Sequence, residues 1–435
     1  MGEQIPFREA VAVWWRIGLL SFGGPAGQIA LMHRLLVEEK KWLDEDRFLH
    51  ALNYCMLLPG PEAQQLATYS GWLLHGVRGG VVAGVLFIVP GALAILMLSW
   101  MYVLLGNAGP VAGLFLGLKA AVLAVVVQAL LRIARRALGS LQQKLLALAG
   151  FLALFVFSLP FPLVVAAGAG AGYLLARKQA EEAGPTGADA LLTAADHPGR
   201  NRSARLAAFV CLGLWAATLS TLLVFLGTDN VFTQIAGFFS RLAVVTFGGA
   251  YAVLAYVAQQ GVEQYQWLQP GEMLDGLGLA ETTPGPLILV TQFVGFLAAL
   301  RQSGMEPALL YGTLGALLTL WVTFLPCFLW IFAGAPYVEK LRHNLRLSAA
   351  LKAITAVVVG VIANLALWFA LNVLFAETRP LDSFGLSLNV PVVDTLNFSM
   401  LALTLLSFVL MFVLRLQLLL VLGLTALAGI ILTFL

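Results

Sequence analysis

Apolar runs of about 20 residues, the length of a bilayer-spanning helix, recur along the chain and are broken at matched places. The first run covers residues 8–32 and contains Arg16 and the sequence Phe22-Gly23-Gly24-Pro25. A polar stretch from Glu38 to Arg47 follows. Two short apolar pieces, 48–58 and 62–77, flank Pro59-Gly60-Pro61. Each is too short to cross a bilayer alone. Runs at 80–105 and 111–131 come next, then a shorter pair at 145–158 and 161–176. The pattern lapses over 177–205, where Glu181, Glu182, Pro185, Asp196 and Pro198 read as a polar linker. A lone run at 206–227 precedes a second series at 231–258, 272–283, 286–301, 307–334 and 347–374, closed by a pair at 396–413 and 416–434.

The second series repeats the first. Arg16, Phe22, Gly23, Gly24, Glu38, Trp42, Pro59, Gly60 and Pro61 recur 225 positions later as Arg241, Phe247, Gly248, Gly249, Glu263, Trp267, Pro284, Gly285 and Pro286. Laid over each other without a gap, 14–61 and 239–286 share 14 identities in 48 positions. Most are Gly, Pro, Trp or charged, which apolar composition alone would not align. The echo continues in Leu118-Lys119-Ala120 and Leu351-Lys352-Ala353. The chain therefore divides into a first repeat (1–176), a linker (177–205), a connecting helix (206–227) and a second repeat (228–435). Trp42 and Trp267 read as anchors at the membrane interface.

Loop charge sets the direction of each repeat. The segment after the Lys119 helix carries Arg132, Arg135, Arg136 and Lys144 with no acid. Its counterpart after the Lys352 helix carries Glu377, Asp382 and Asp394 against Arg379. Basic segments face the cytoplasm, so equivalent helices run in opposite senses. The expected fold is an all-α polytopic membrane protein of tandem inverted-topology repeats, about 6+1+6 spans, with the N-terminus cytoplasmic. This count assumes that each Pro-Gly-Pro pair contributes one net crossing. Such repeats with broken helices are a common plan for secondary transporters.

Composition agrees. The chain is 60% hydrophobic and 11% charged, against roughly a quarter charged in soluble domains. A net charge of +3 gives no reason to expect a nucleic-acid partner. Cys55, Cys211 and Cys327 and the five histidines lack the spacing of a disulfide framework or a metal site. No metal, cofactor or catalytic set is expected, and the chain reads as a non-enzyme.

The breaks carry the candidate chemistry. Proline removes backbone donors and clashes with the preceding turn. Freed backbone groups inside a membrane must be buried in protein or line a polar cavity. Half-helices that start at a break present free N–H groups and a positive dipole end, which suits an anion. Pro59, Gly60, Pro61, Pro284 and Gly285 are therefore candidate substrate-binding positions. Phe22, Gly23, Gly24, Gly248 and Gly249 form a second matched backbone feature, preceded by the hydroxyls of Ser21 and Thr246. Thr282 and Thr283 add hydroxyls where the first copy has Leu57 and Leu58. Arg16, Arg241, Lys119 and Lys352 are matched cations within apolar runs, where a charge is costly unless it faces a cavity or a partner. Glu62 follows the first Pro-Gly-Pro and Glu281 precedes the second, making them candidates for proton coupling. A small-anion transporter and an anion channel both fit these features.

Ser21-Phe-Gly-Gly-Pro25, the stretch from Glu38 to Trp42-Leu43, and Leu58-Pro-Gly-Pro-Glu62 resemble the motifs of the chromate ion transporter (CHR) family. The second copy, with Phe247-Gly-Gly249 and Thr283-Pro-Gly-Pro286, resembles the long-chain, two-domain members. The second half departs from the pattern at Ala250, in place of Pro, and Leu287, in place of Glu62. The resemblance implies a multi-pass protein of the bacterial inner membrane that exports chromate and confers chromate resistance. Overlap with sulfate, a dianion of the same shape, follows from it. A homodimeric assembly is left open.

Overall fold

The computed structural model describes residues 5–106, 108–183, 198–247, 250–269, 271–335, 345–383 and 386–434. Sixteen helices and one β-hairpin make up the described chain. The first half holds α1 (Phe7–Leu20), α2 (Gly24–His33), α3 (Glu45–Cys55), α4 (Glu62–Leu105), α5 (Gly109–Ala137), α6 (Leu141–Phe155) and α7 (Phe161–Ala183). Helix α8 (Pro198–Leu226) leads to the second half: α9 (Val231–Val245), α10 (Ala250–Gln259), α11 (Glu272–Thr282), α12 (Val290–Gln302), α13 (Ala308–Gly334) and α14 (Leu345–Leu374). Strands β1 (Thr378–Ser383) and β2 (Leu386–Pro391) pair antiparallel, and α15 (Phe398–Phe408) and α16 (Leu418–Thr433) close the chain.

Helices α1 and α2 fold back on each other. Lys40, just beyond α2, pairs with Glu9 near the start of α1 at 2.7 Å, and Arg16 pairs with Glu39 at 3.6 Å. Helix α4 also reverses. His75 and Gly76 leave helical geometry, and Gly76 takes φ 62° and ψ −153°, a conformation that side-chain-bearing residues avoid. The two arms then pack so closely that a methyl on Gly71 would strike the carbonyl of Gly79, and the converse. Gly295 of α12 and Gly315 of α13 make the matching contact in the second half. Small residues are what let membrane helices approach without a hydrophobic driving force between them.

His33, at the end of α2, bonds Glu45 at the start of α3 at 2.7 Å. His75, at the end of the first arm of α4, bonds the carbonyl of Ile5 at 2.8 Å. The starts of α1 and α3 and the end of that arm thus share one end of the bundle, here the near end. The Pro-Gly-Pro pair in the first half therefore turns back toward the end of the bundle from which α3 starts. Among the described residues, five helices are long and apolar enough to cross a membrane, including the 44-residue α4 that contains the reversal.

The polar linker is shorter than the sequence pattern implied. Helix α7 runs to Ala183 and α8 starts at Pro198, so both ends of 177–205 are helical, and 184–197 lie outside the described residues. Trp267 is fully buried and stacks on Tyr265 at 4.3 Å. It is a core residue, not an interface anchor, because Phe238 and Phe239 close over it. The α5–α16 contact relies on Gly113 and Gly117, whose added methyls would meet the backbone around Gly429 and Thr425.

Candidate anion site at the junction of the two halves

The two Pro-Gly-Pro breaks meet the chain breaks of the opposite half. Gly60 has φ 124° and Gly285 φ 93°, which frees their N–H groups from the flanking helices. Gly60 N–H donates to the carbonyl of Thr246 at 2.8 Å, and Gly285 N–H donates to the carbonyl of Ser21 at 2.9 Å. The exchange is reciprocal: each half supplies the acceptor for the other's glycine. An unpaired buried N–H would cost as much as a lost hydrogen bond, so these bonds fix the register of the halves.

Side chains reinforce the junction. Gln28 donates from Nε2 to the carbonyls of Gly285 at 2.6 Å and Ser21 at 3.2 Å. Gln65 donates to the carbonyl of Pro59 at 2.7 Å. The hydroxyls expected to face a substrate are turned back. Ser21 donates to Ile17 at 2.6 Å and Thr246 to Leu242 at 2.5 Å, each one turn earlier. Thr282 and Thr283 likewise bond Leu279 and Ala280. A hydroxyl at a helix end satisfies the nearest free carbonyl first. Phe22 is half-buried beside Gly23 and Gly24, whose positive φ angles of 83° and 72° make the turn into α2. Gly248 and Gly249 lie outside the described residues.

A cavity of about 10 Å³ sits at this junction, lined by Pro25, Gln28, Pro61, Glu62, Ala63, Pro286, Leu287 and Ile288. That is room for about one water. Three helix starts line it: α2 at Gly24, α4 at Glu62, and the 3₁₀ turn at Leu287 that leads into α12. None carries a side-chain cap bond. The first N–H groups of a helix have no intrahelical partner, and the dipole adds positive potential.

The four matched cations do not line this cavity. Arg16 is half-exposed and paired with Glu39, because Val13, Trp14 and Ile17 turn the buried face of α1 inward. Arg241 is exposed; it donates to the carbonyl of Gly237 at 3.1 Å and to the Tyr265 hydroxyl at 3.5 Å. Lys119 pairs with Asp275 at 3.1 Å. Lys352 is exposed on α14. Each of Arg16, Arg241, Lys119 and Lys352 is drawn to a partner or to the surface, where its charge costs less.

The two acids divide. Glu62 lines the cavity. Glu281 is buried and accepts from the Tyr251 hydroxyl at 2.6 Å. Arg132 and Arg136, read from the sequence as loop charges, lie within α5.

A charged network that sequence reading missed lies at the other end of the bundle, the far end. Tyr102, near the end of α4, donates to Asp275 at 2.9 Å. Arg301 grips Glu272 with two bonds of 2.6 and 2.7 Å and donates to the Trp267 carbonyl. Asp275 and Glu272 are both buried. The available signal was their position in the same short apolar segment as Glu281. A larger cavity of about 440 Å³ is lined by Gln259, Glu263, Asn364 and Trp368 among others.

The fold is that of an all-α protein with several helices able to cross a membrane. The sequence profile of the chromate transporter family matches residues 8–173 and 233–430, and the chain belongs to that family. It is 32% identical to the chromate transport protein of Pseudomonas aeruginosa, over 89% of this chain and 87% of that one. It is 29% identical to the chromate transport protein of Cupriavidus metallidurans, over 82% and 81%. It is 28% identical to a probable chromate transport protein of Synechococcus elongatus, over 82% and 83%. No solved structure matches the chain.

Proposed function

We propose that this protein exports chromate across the bacterial inner membrane as a secondary transporter, by alternating access between two inverted-topology repeats. The observation that carries the reading is the cavity between the halves, walled by three uncapped helix starts. Opposed repeats are supported by where the hairpins end. Those of the first half end beside His75, whereas α11 begins and α12 ends beside Tyr102. These residues stand at opposite ends of the second arm of α4. The basic segments around Arg132–Arg136 and Arg346 support a cytoplasmic near end.

The cavity is too small for a tetrahedral oxyanion, so this conformation is closed at its centre. Loading requires the near end to part, with the N–H groups replacing the anion's water. An inside-negative potential then drives the anion outward. Sulfate is the competitor of matching shape. Glu62 in the cavity wall and Glu281 behind it are the groups that would exchange protons with the anion's movement.

Radiolabelled chromate uptake into everted membrane vesicles under an imposed potential tests the reading. Saturable accumulation is expected, and Ala63→Leu, which fills the cavity, should reduce it at least about tenfold. A folded Ala63→Leu protein that transports at the parental rate would remove the junction as the site. Glu62→Gln and Glu281→Gln should abolish the dependence on a pH gradient if the acids couple protons.

A further inference from the structure

One group in the cavity wall does not suit a fully ionised dianion. Gln28 is 1% exposed, and its Nε2 is committed to two carbonyls, at 2.6 and 3.2 Å. A flipped amide would set Oε1 against the Gly285 carbonyl, oxygen on oxygen, so the orientation is fixed by the acceptors around it. That leaves Oε1 as a buried acceptor with no hydrogen-bond partner, on a residue that lines the cavity. Among the lining residues only Gln28 and Glu62 have polar side chains. An orphaned buried acceptor loses its desolvation energy unless the ligand supplies a hydrogen.

We propose that Gln28 is a specificity-determining residue that accepts a hydrogen bond from a hydroxyl on the transported oxyanion, so that the species carried is the singly protonated monoanion. The inference rests on the reading of the junction as the anion site and narrows its substrate. The helix starts hold the unprotonated oxygens while Oε1 of Gln28 accepts from the one O–H. No covalent bond changes, and the proton travels with the anion. Chromate takes up its first proton near neutral pH, so hydrogenchromate is present in a cell. Sulfate is protonated only in strong acid and offers nothing but acceptors to Oε1. Phosphate is tetrahedral, of similar size, and carries a proton at neutral pH. A site that hydrogen-bonds a ligand hydroxyl rejects analogues lacking it more strongly than shape alone would allow.

The test uses the full chain in proteoliposomes, with chromate uptake at low substrate from about pH 6 to about pH 8.5 and with sulfate or phosphate as competitor. Uptake should follow the hydrogenchromate fraction, and phosphate should compete about tenfold better than sulfate. Proton coupling would also slow uptake as pH rises, so the phosphate-to-sulfate preference is the deciding readout. Gln28→Met keeps length and removes the acceptor; it should erase most of that preference. Sulfate competing as well as phosphate in the parent protein overturns the proposal, as does a preference unchanged in Gln28→Met. If Gln28→Met does not fold, the parent's competition profile still decides. Ala63→Leu separates the two readings. Parental transport by that variant removes the junction itself, whereas lost transport with an unchanged preference in Gln28→Met removes only the role of Gln28.

Discussion

Helices α3 and α11 occupy equivalent places 225 positions apart, and they differ in burial. In α11 every residue from Glu272 to Glu281 is buried. In α3 only Phe48, Ala51, Tyr54 and Cys55 are, while Leu49, His50 and Asn53 are exposed. The difference follows from charge. Helix α11 carries Glu272 and Asp275, which meet Arg301, Lys119 and Tyr102 and draw α5 over it. The matching positions on α3 are Arg47 and His50, and the counterpart of Lys119 is Lys352, exposed on α14. Acids paired with bases at the far end are replaced at the matching near-end positions by the basic residues Arg47 and His50. A duplicated scaffold can thus be latched at one end by side chains that the other copy does not repeat.

The largest test of this contrast is to cut the latch. Asp275→Ala strands Lys119 and Tyr102 in a mostly buried setting and should cost about 3 kcal/mol. Chemical denaturation in detergent would measure the loss. The double variant Asp275→Leu with Lys119→Met should recover much of it, since an apolar pair of similar volume replaces a buried ion pair with little loss. If Asp275→Ala unfolds at the parental denaturant concentration, the network does not hold the far end.

Building the missing latch is the next test. His50→Asp offers Lys352 an acid where α11 offers one to Lys119. A partly exposed pair contributes about 0.5–1 kcal/mol, enough to shift a two-state equilibrium a few-fold toward closure of the near end. Labelling of an Asn53→Cys reporter by a polar thiol reagent should slow by that factor. Unchanged labelling would mean that α3 and α14 do not approach each other during the cycle.

The smallest effect concerns the polar stretch at the near end. The hydrogen bond with Glu45, helped by the charge of Glu38, raises the His33 imidazole above its usual value despite some desolvation. A raised value means that the folded protein holds the proton more tightly than the unfolded chain. The stabilisation is full below the ordinary imidazole range and disappears as pH rises through the raised value. The parent should therefore lose a few tenths of a kcal/mol between about pH 6 and about pH 8.5 relative to His33→Gln, read from denaturation midpoints. Parallel pH profiles for the two proteins would exclude this pair as a contributor.

Local features of the sequence foretold the scaffold. Proline and glycine at 59–61 and 284–286 act on their own backbone, so the breaks are visible without knowing any neighbour. The length of the apolar runs likewise marks most of the helices. Arg16 and Lys119 were misplaced for the opposite reason: a cation in an apolar run is costly alone, but its partner can sit anywhere in the fold. Lys119 finds Asp275, and Arg16 finds Glu39 across a chain reversal. Gln28 looked unremarkable because its importance lies in the carbonyl of Gly285, 257 positions away. The turn in α4 falls within a few residues of where the apolar runs 62–77 and 80–105 part, because Gly76 sits beside that interruption.

The reciprocal bonds between Gly60 and Thr246 and between Gly285 and Ser21 have a consequence for how such a chain could be divided. Neither half completes its own hinge; each lends the other a carbonyl. Severed in the linker and produced as two polypeptides, the pieces should behave like the parts of a split protein, inert apart and active on mixing. A gene encoding one half would succeed only where a second gene, or a second copy of its product, returned the missing handshake.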